Sequence, residues 1–275
     1  MDKHGLRWRL GLAAGVLLGI ALLVPLAVVV SSTIGHSLAR STVVVLADGT
    51  RQKIHWRDYP STAGIDPQDV LQGPTPEEGL ARGQAMVAEI KAALDREFSL
   101  EWRTAPESPG RNPFLPSVNN EFGGTSLLTA ISGPRAESTT VPEDWNDKML
   151  VIRIIADVSK KYGYAGPEGV GFDPVAEGEP EAGPGPTTPE EQVMINGEVR
   201  GPAGQWLAFT LRDFSKDQDG YHAARAIEAS GPDAARSCIE LRYGADGLLP
   251  ENHREEYIRR LEPFLGLVPP PPVWR

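Results

Sequence analysis

The chain is poor in the residues from which compact catalytic and metal sites are built. A single cysteine, Cys238, stands in 275 residues. That excludes an intramolecular disulfide framework and every cysteine-rich zinc site, so stability has to come from packing. The five histidines, at 4, 36, 55, 222 and 253, include no pair four residues apart of the kind that holds zinc on one helix face. There is no Gly-x-Ser-x-Gly nucleophile elbow. Phe122-Gly123-Gly124-Thr125-Ser126 has the glycines of a phosphate-cradling loop but not its lysine, and it precedes a strand, so it reads as a turn. No metal site, cofactor motif or catalytic triad is predicted.

Positive charge is also scarce, with 27 basic against 37 acidic residues. Lys3, Arg7, Arg9 and Asp2 fall in the first thirty residues, which leaves 24 basic and 36 acidic in the remainder, a net of about −12. Such a surface repels phosphate backbones and anionic headgroups, so no nucleic acid partner is expected. Acidic charge is at the same time an ordinary means to solubility.

What the chain does have is one long apolar run. Leu10 to Val30 carries no charge over 21 residues, enough at about 1.5 Å per residue to cross a bilayer's hydrocarbon core. Lys3, Arg7 and Arg9 precede it, whereas the twenty residues after it carry only Arg40 and Asp48 as charges. This asymmetry places the N-terminus in the cytoplasm and the bulk of the chain outside, with Trp8 as an interfacial anchor. A cleaved signal peptide is the rival reading, because Ser37-Leu38-Ala39 presents small residues to a signal peptidase, although signal peptides usually have shorter apolar cores. No cysteine follows the run to carry a lipid. The expected organisation is a cytoplasmic tail (1–9), a transmembrane helix (10–30), a juxtamembrane hairpin and linker (31–74), an extracytoplasmic domain (75–265) and a Pro-rich tail (266–275).

Within the external part, β-branched or alternating stretches at Thr42–Leu46 and Thr50–Trp56 flank Asp48-Gly49, a hairpin-turn dipeptide. Tyr59 to Gly73 reads as a linker or wrapped loop. Thr75-Pro76-Glu77-Glu78 is a capping box that starts a helix running to about Phe98, with Leu80, Val87, Ile90, Leu94 and Phe98 on its buried face. Leu100 and Trp102 then suggest a strand, as does Ser126–Ser132. Asp144 caps a second helix to Gly163 whose stripe is Leu150, Val151, Ile154, Ile155, Val158 and Tyr162. Ala165–Phe172 is a candidate strand, and Pro174–Pro189 has almost nothing apolar to bury and is expected to be disordered.

Thr188-Pro189-Glu190-Glu191 repeats the capping signature, yet Val193-Met194-Ile195 followed by Asn196-Gly197 looks like a strand entering a turn. Gln205–Phe214 and Arg236–Tyr243 alternate cleanly and are the clearest strands. Tyr221–Ser230 is assigned to a strand from its position between them, against its alanines. Pro250–Leu261 reads as a terminal helix and Pro269–Pro272 as an extended polyproline segment. The resulting fold class is α+β, an antiparallel sheet packed with two main helices in two layers behind the transmembrane helix.

Two segments invite chemistry. Lys216-Asp217-Gln218-Asp219-Gly220 resembles part of a calcium loop, but the position of its bidentate glutamate falls on Ala226, so a polar hairpin turn is expected. Cys238 shares a strand face with Glu240 and Arg242, opposite the apolar set; a small residue tucked under a loop is the leading reading, and an accessible thiol fit for an intermolecular disulfide is the functional alternative.

The helix from Leu80 to Phe98, then Leu100-Glu101-Trp102, Trp145 and a helix ending Lys160-Lys161-Tyr162-Gly163-Tyr164 resemble, in that order, the LppA-type envelope lipoproteins of actinobacteria. The resemblance covers roughly residues 75 to 245, without that family's lipid-bearing cysteine or its domain cysteine pair. It implies an envelope location and an α+β fold and supplies no catalytic residues. The combined expectation is a membrane-anchored extracytoplasmic protein, a non-catalytic module binding an envelope protein or wall component, with the bilayer contacted through the N-terminal helix. The alternative is a hydrolase using scattered carboxylates.

Overall fold

Two strands of strict period-two hydrophobicity organise the molecule. The computed structural model describes residues 40–45, 48–104, 111–166, 168–172 and 188–272. The apolar run Leu10–Val30, its flanks Lys3, Arg7, Trp8 and Arg9, and nearly all of the Pro-rich stretch from 174 lie outside them. Among the described residues no helix is long and apolar enough to cross a membrane. The strands are β1 (Ser41–Val45), β2 (Arg51–His55), β3 (Trp102–Thr104), β4 (Phe114–Pro116), β5 (Thr129–Ser132), β6 (Ala136–Ser138), β7 (Glu168–Phe172), β8 (Met194–Arg200), β9 (Gln205–Arg212) and β10 (Cys238–Leu248). The α-helices are α1 (Pro67–Gln72), α2 (Pro76–Phe98), α3 (Trp145–Lys161), α4 (Tyr221–Ser230) and α5 (Arg254–Leu261).

An eight-stranded antiparallel sheet runs β3-β6-β10-β9-β8-β7, with β5 and β4 attached at the far end of β10. β10 pairs with β9 from Cys238 to Ala245 on one edge. Its other edge is shared between β6, at Glu240 and Leu241, and β5, from Gly244 to Leu248. Leu207, Phe209, Leu211, Ile239, Leu241 and Tyr243 all point to one face and are buried, as period-two geometry requires.

That face is covered by α2 and α3. Thr75 Oγ1 accepts from Glu78 N while Glu78 Oε2 accepts from Thr75 N, so the capping box forms and Pro76 begins α2. Asp144 Oδ1 accepts from Asn146 N at 2.8 Å and starts α3. Met86, Val87, Ile90 and Leu94 of α2 and Val151, Ile152, Ile155 and Val158 of α3 form one core with the sheet. Each such side chain contributes roughly 1.5–3 kcal/mol on full burial. The result is mixed α/β with antiparallel strands, as the sequence pattern implies.

A second, aromatic core lies beyond the end of β10. Ile54, Trp56, Tyr59 and Val70 meet Phe122, Leu128, Leu249, Tyr257, Leu261 and Phe264 there. The expected hairpin forms, with Asp48 Oδ1 accepting from Thr50 N at 2.9 Å and Gly49 at φ +84°. The segment after it is the wrapped loop rather than a linker, because Asn120 pins it down. The side chain of Asn120, fully buried, donates to the carbonyls of Trp56, Arg57 and Tyr59 and accepts from Phe122 N and Gly124 N. The Phe122-Gly123-Gly124 turn thus exists to let the chain approach Arg57. A Cβ on Gly124 would lie 1.8 Å from the Arg57 carbonyl oxygen.

Three local expectations are corrected. Tyr221–Ser230 is helical, because Asp219 accepts from Tyr221 N and the Asp217 carboxylate accepts from His222 N and Ala223 N, capping the alanine-rich stretch. For the same reason Lys216–Gly220 is a helix entry and not a hairpin turn. Asn196-Gly197 is not a turn: β8 runs straight through it, and Gly197 leaves room for the Phe209 ring, whose Cζ would be 2.1 Å from an added Cβ. The strand reverses instead at Gly201–Gly204.

One ion pair is sealed inside. Lys148 Nζ, in the first turn of α3, lies 2.5 Å from Asp213 Oδ2 at the end of β9, with side chains 2% and 4% exposed. Burial pushes the Asp213 carboxyl up, but its hydrogen bonds with Lys148 and Ser215 outweigh this and hold it below 3.8. A depressed carboxyl stabilises the fold at neutral pH, and that contribution is lost as the pH falls through 3.8 towards the lower folded value. Asp213→Ala, which strands a buried ammonium, is expected to cost about 3–5 kcal/mol in urea denaturation at pH 7. The pair Lys148→Met with Asp213→Leu should recover most of that loss and lose less stability than wild type between pH 5 and pH 2; equal acid sensitivity would count against this role.

Candidate functional site

Where the wrapped loop meets the end of the sheet, a cavity of about 560 Å³ opens, lined by the Thr62–Asp69 stretch, Val118–Glu121, the β8–β9 turn, Asp246 and Pro272. Local sequence shapes each wall. Asp66 Oδ1 accepts from Gln68 N at 2.8 Å and Pro67 fills the first helical position, so α1 starts at the rim. Opposite, Ala203 (φ +54°) and Gly204 (φ +69°) make the reversal between β8 and β9. Glu121 also sits at positive φ (+64°), its amide donating to Asn119 Oδ1 at 2.7 Å. Two non-glycine residues in left-handed backbone therefore border one cavity, an arrangement that costs about 1–2 kcal/mol each and collects where a site is being shaped.

The lining is polar, with Asp66, Asp69, Glu121 and Asp246 facing a single cation, Arg200. Two of the carboxylates are engaged. Asp66 caps α1, and Asp246 accepts from Trp206 Nε1 at 3.0 Å while its Oδ2 lies 3.5 Å from Arg200 Nη1. Arg200 is itself held by Glu198 at 2.7 Å. Asp69 and Glu121 have no ion-pair partner among the described residues. The cavity therefore offers acceptors and a rigid frame, suited to holding a polar group.

Asp246 of the cavity wall alternates outward on β10 with Arg242 and Glu240, which stand on the sheet face opposite α2 and α3. There Glu137 binds Arg103 at 2.7 Å and Arg135 at 3.2 Å, and Glu240 binds Arg212 and, at 3.7 Å, Arg135. Among the described residues no group of three or more His, Cys, Asp or Glu is arranged to hold a metal ion.

No protein-family model matches the chain, and no curated protein matches it. Among solved structures it is similar to the crystal structure of the lipoprotein LppA from Mycobacterium tuberculosis, at 11% identity and a TM-score of 0.41, over 68% of this chain and 85% of that one. The weak LppA-like resemblance is thus found in structure as well as in sequence pattern; at this level it assigns no residue and no activity.

Of the residues singled out from sequence, Lys3, Arg7, Trp8 and Arg9 lie outside the described region. His55 is exposed, and His253 Nδ1 contacts the Leu127 carbonyl at 3.1 Å. The cavity's Asp66 and Asp69 share one segment, which the sequence pattern reads only as a linker or wrapped loop, and Glu121 and Asp246 come from two others. At Cys238 the functional alternative, an accessible thiol, is the one corrected. The residue does share a face with Glu240 and Arg242, but at 1% exposure it is not accessible. Burial pushes its thiol up, and nearby Arg212 offsets this only in part. Native protein at pH 8 is therefore expected to leave Cys238 unmodified by an aromatic disulfide reagent over an hour, with one equivalent reacting once denaturant is added; rapid reaction of the folded chain would refute this burial.

Proposed function

We propose that the chain is a membrane-anchored envelope protein whose external domain works by binding and not by bond cleavage. The anchor is the uncharged run Leu10–Val30 with Lys3, Arg7 and Arg9 before it, which is more stable in lipid than in water and oriented by its cationic flank. The observation that carries the binding reading is the cavity of about 560 Å³, a size suited to a small ligand, with polar walls held by Asn120, the α1 cap and the Asp246–Trp206 bond. Its occupant is a polar envelope component bearing hydrogen-bond donors, because carboxylates dominate the lining.

A hydrolytic reading draws on the same four carboxylates, but Asp66 and Asp246 are committed to structural partners. That leaves Asp69 and Glu121 as its only candidate acid and base. Photocrosslinking from position 121 in intact cells separates the readings. Recovery of one saturable adduct, reduced at least tenfold in Asp69→Asn, supports binding, and absence of any specific adduct counts against it. On fractionation the full chain is expected to stay with membranes through high salt and alkaline carbonate and to be released only by detergent; release by salt alone would remove the anchor.

A further inference from the structure

The sheet face opposite α2 and α3 holds two guanidinium groups that share one hydroxyl and have no counter-charge among the described residues. Arg242 Nη2, on β10, donates to Ser132 Oγ at 3.2 Å, and Arg111 Nη2, from the segment before β4, donates to the same oxygen at 3.0 Å. The two cationic nitrogens can be no further apart than the sum of those distances. Like charges this close repel, and a protein normally answers with a carboxylate between them.

Here the neighbouring carboxylates are spent. Glu240, on the same face two residues from Arg242, is taken by Arg212 and Arg135, and Glu137 by Arg103 and Arg135. Among the described residues neither Arg111 nor Arg242 has an acidic partner. In a chain with a formal net charge of −10, acids are plentiful, and their absence at this point leaves a local positive excess.

The pair is also held in place. Ser132 and Trp206 flank Gly244 in register, one on each neighbouring strand. The indole lies across Gly244, where an added Cβ would come within 2.5 Å of Trp206 Cζ2. Arg242 stands over that indole, its Cζ 5.9 Å from the ring centroid, and Trp206 is fixed in turn by Asp246. An arginine supported on an aromatic face keeps its planar fork free for an anion.

We propose that Arg111, Arg242 and Ser132 form a binding site for a phosphate group, distinct from the carboxylate-lined cavity. Two guanidinium forks and a hydroxyl match an oxyanion able to carry up to two negative charges, where a carboxylate would neutralise only one of the arginines. The site is exposed, so it takes a phosphate monoester presented on a larger envelope molecule as readily as the free ion.

The test uses the full chain in an uncharged detergent, titrated calorimetrically at low ionic strength with inorganic phosphate and, separately, with dihexanoyl phosphatidic acid, a monoester, below its micellar concentration. Saturable binding of either that weakens at least tenfold in Arg111→Gln with Arg242→Gln, and less in Ser132→Ala, supports the site; binding should also weaken as sodium chloride is added. A response to phosphate assigns the free anion, and a response to the lipid alone assigns a headgroup. Lys53→Gln, an exposed charge on the hairpin, should bind as wild type does. The proposal is overturned if neither probe binds, or if the double arginine variant, folded by near-ultraviolet circular dichroism, binds like wild type.

Discussion

Everything in this fold is referred to the pairing of β10. One strand of eleven residues, Cys238 to Leu248, is bonded along one edge to β9 and divided on the other between β6 and β5. A strand so placed fixes the register of both halves of the sheet, and a slip of one residue would exchange its buried and outward sets. Its inward residues Ile239, Leu241 and Tyr243 form the floor for α2 and α3. Its outward residues Glu240, Arg242 and Asp246 carry, in order, the arginine network, the paired guanidinium groups and the wall of the cavity.

The two cores solve different problems. The larger is aliphatic and joins helices to sheet through the 3.6 and 2.0 periodicities of its elements. The smaller is built from irregular segments that have no periodicity with which to bury themselves, and it relies on aromatic rings, with Trp56 lying 5.3 Å from Phe122 and 5.1 Å from Phe264. Irregular backbone brought inside must have its polar groups answered. Asn120 does this for Trp56, Arg57 and Tyr59 at once, so the loop can serve as a cavity wall without becoming mobile.

Legibility from sequence followed the range of the forces involved. The capping box at Thr75 and the cap at Asp144 act within one helical turn, and both helices begin where those residues place them. Strand faces on β9 were equally plain. At Tyr221–Ser230 the local alanines and aspartate caps prevailed over a reading from position; elsewhere tertiary contact overruled a local signal. Asn196-Gly197 is a turn dipeptide pressed flat by Phe209, and β10 continues past Tyr243 through Gly244 and Gly247 because Trp206 and Leu128 occupy the space those glycines leave. Cys238 was placed on the correct face, but period two says only which way a side chain points, not what lies above it. The cavity and the Arg111–Arg242 pair were invisible for a further reason: they join residues from five segments and from two, respectively, and sequence spacing does not encode such meetings.

The enclosure of Cys238 has a consequence for the chain's chemistry. Disulfide exchange requires a thiolate that another sulfur can reach, and this molecule offers none while folded. Its architecture is thus indifferent to the redox poise of whatever compartment surrounds it. Oxidases and isomerases have nothing to act on, neighbouring copies stay covalently separate, and the native state is selected by burial and register alone.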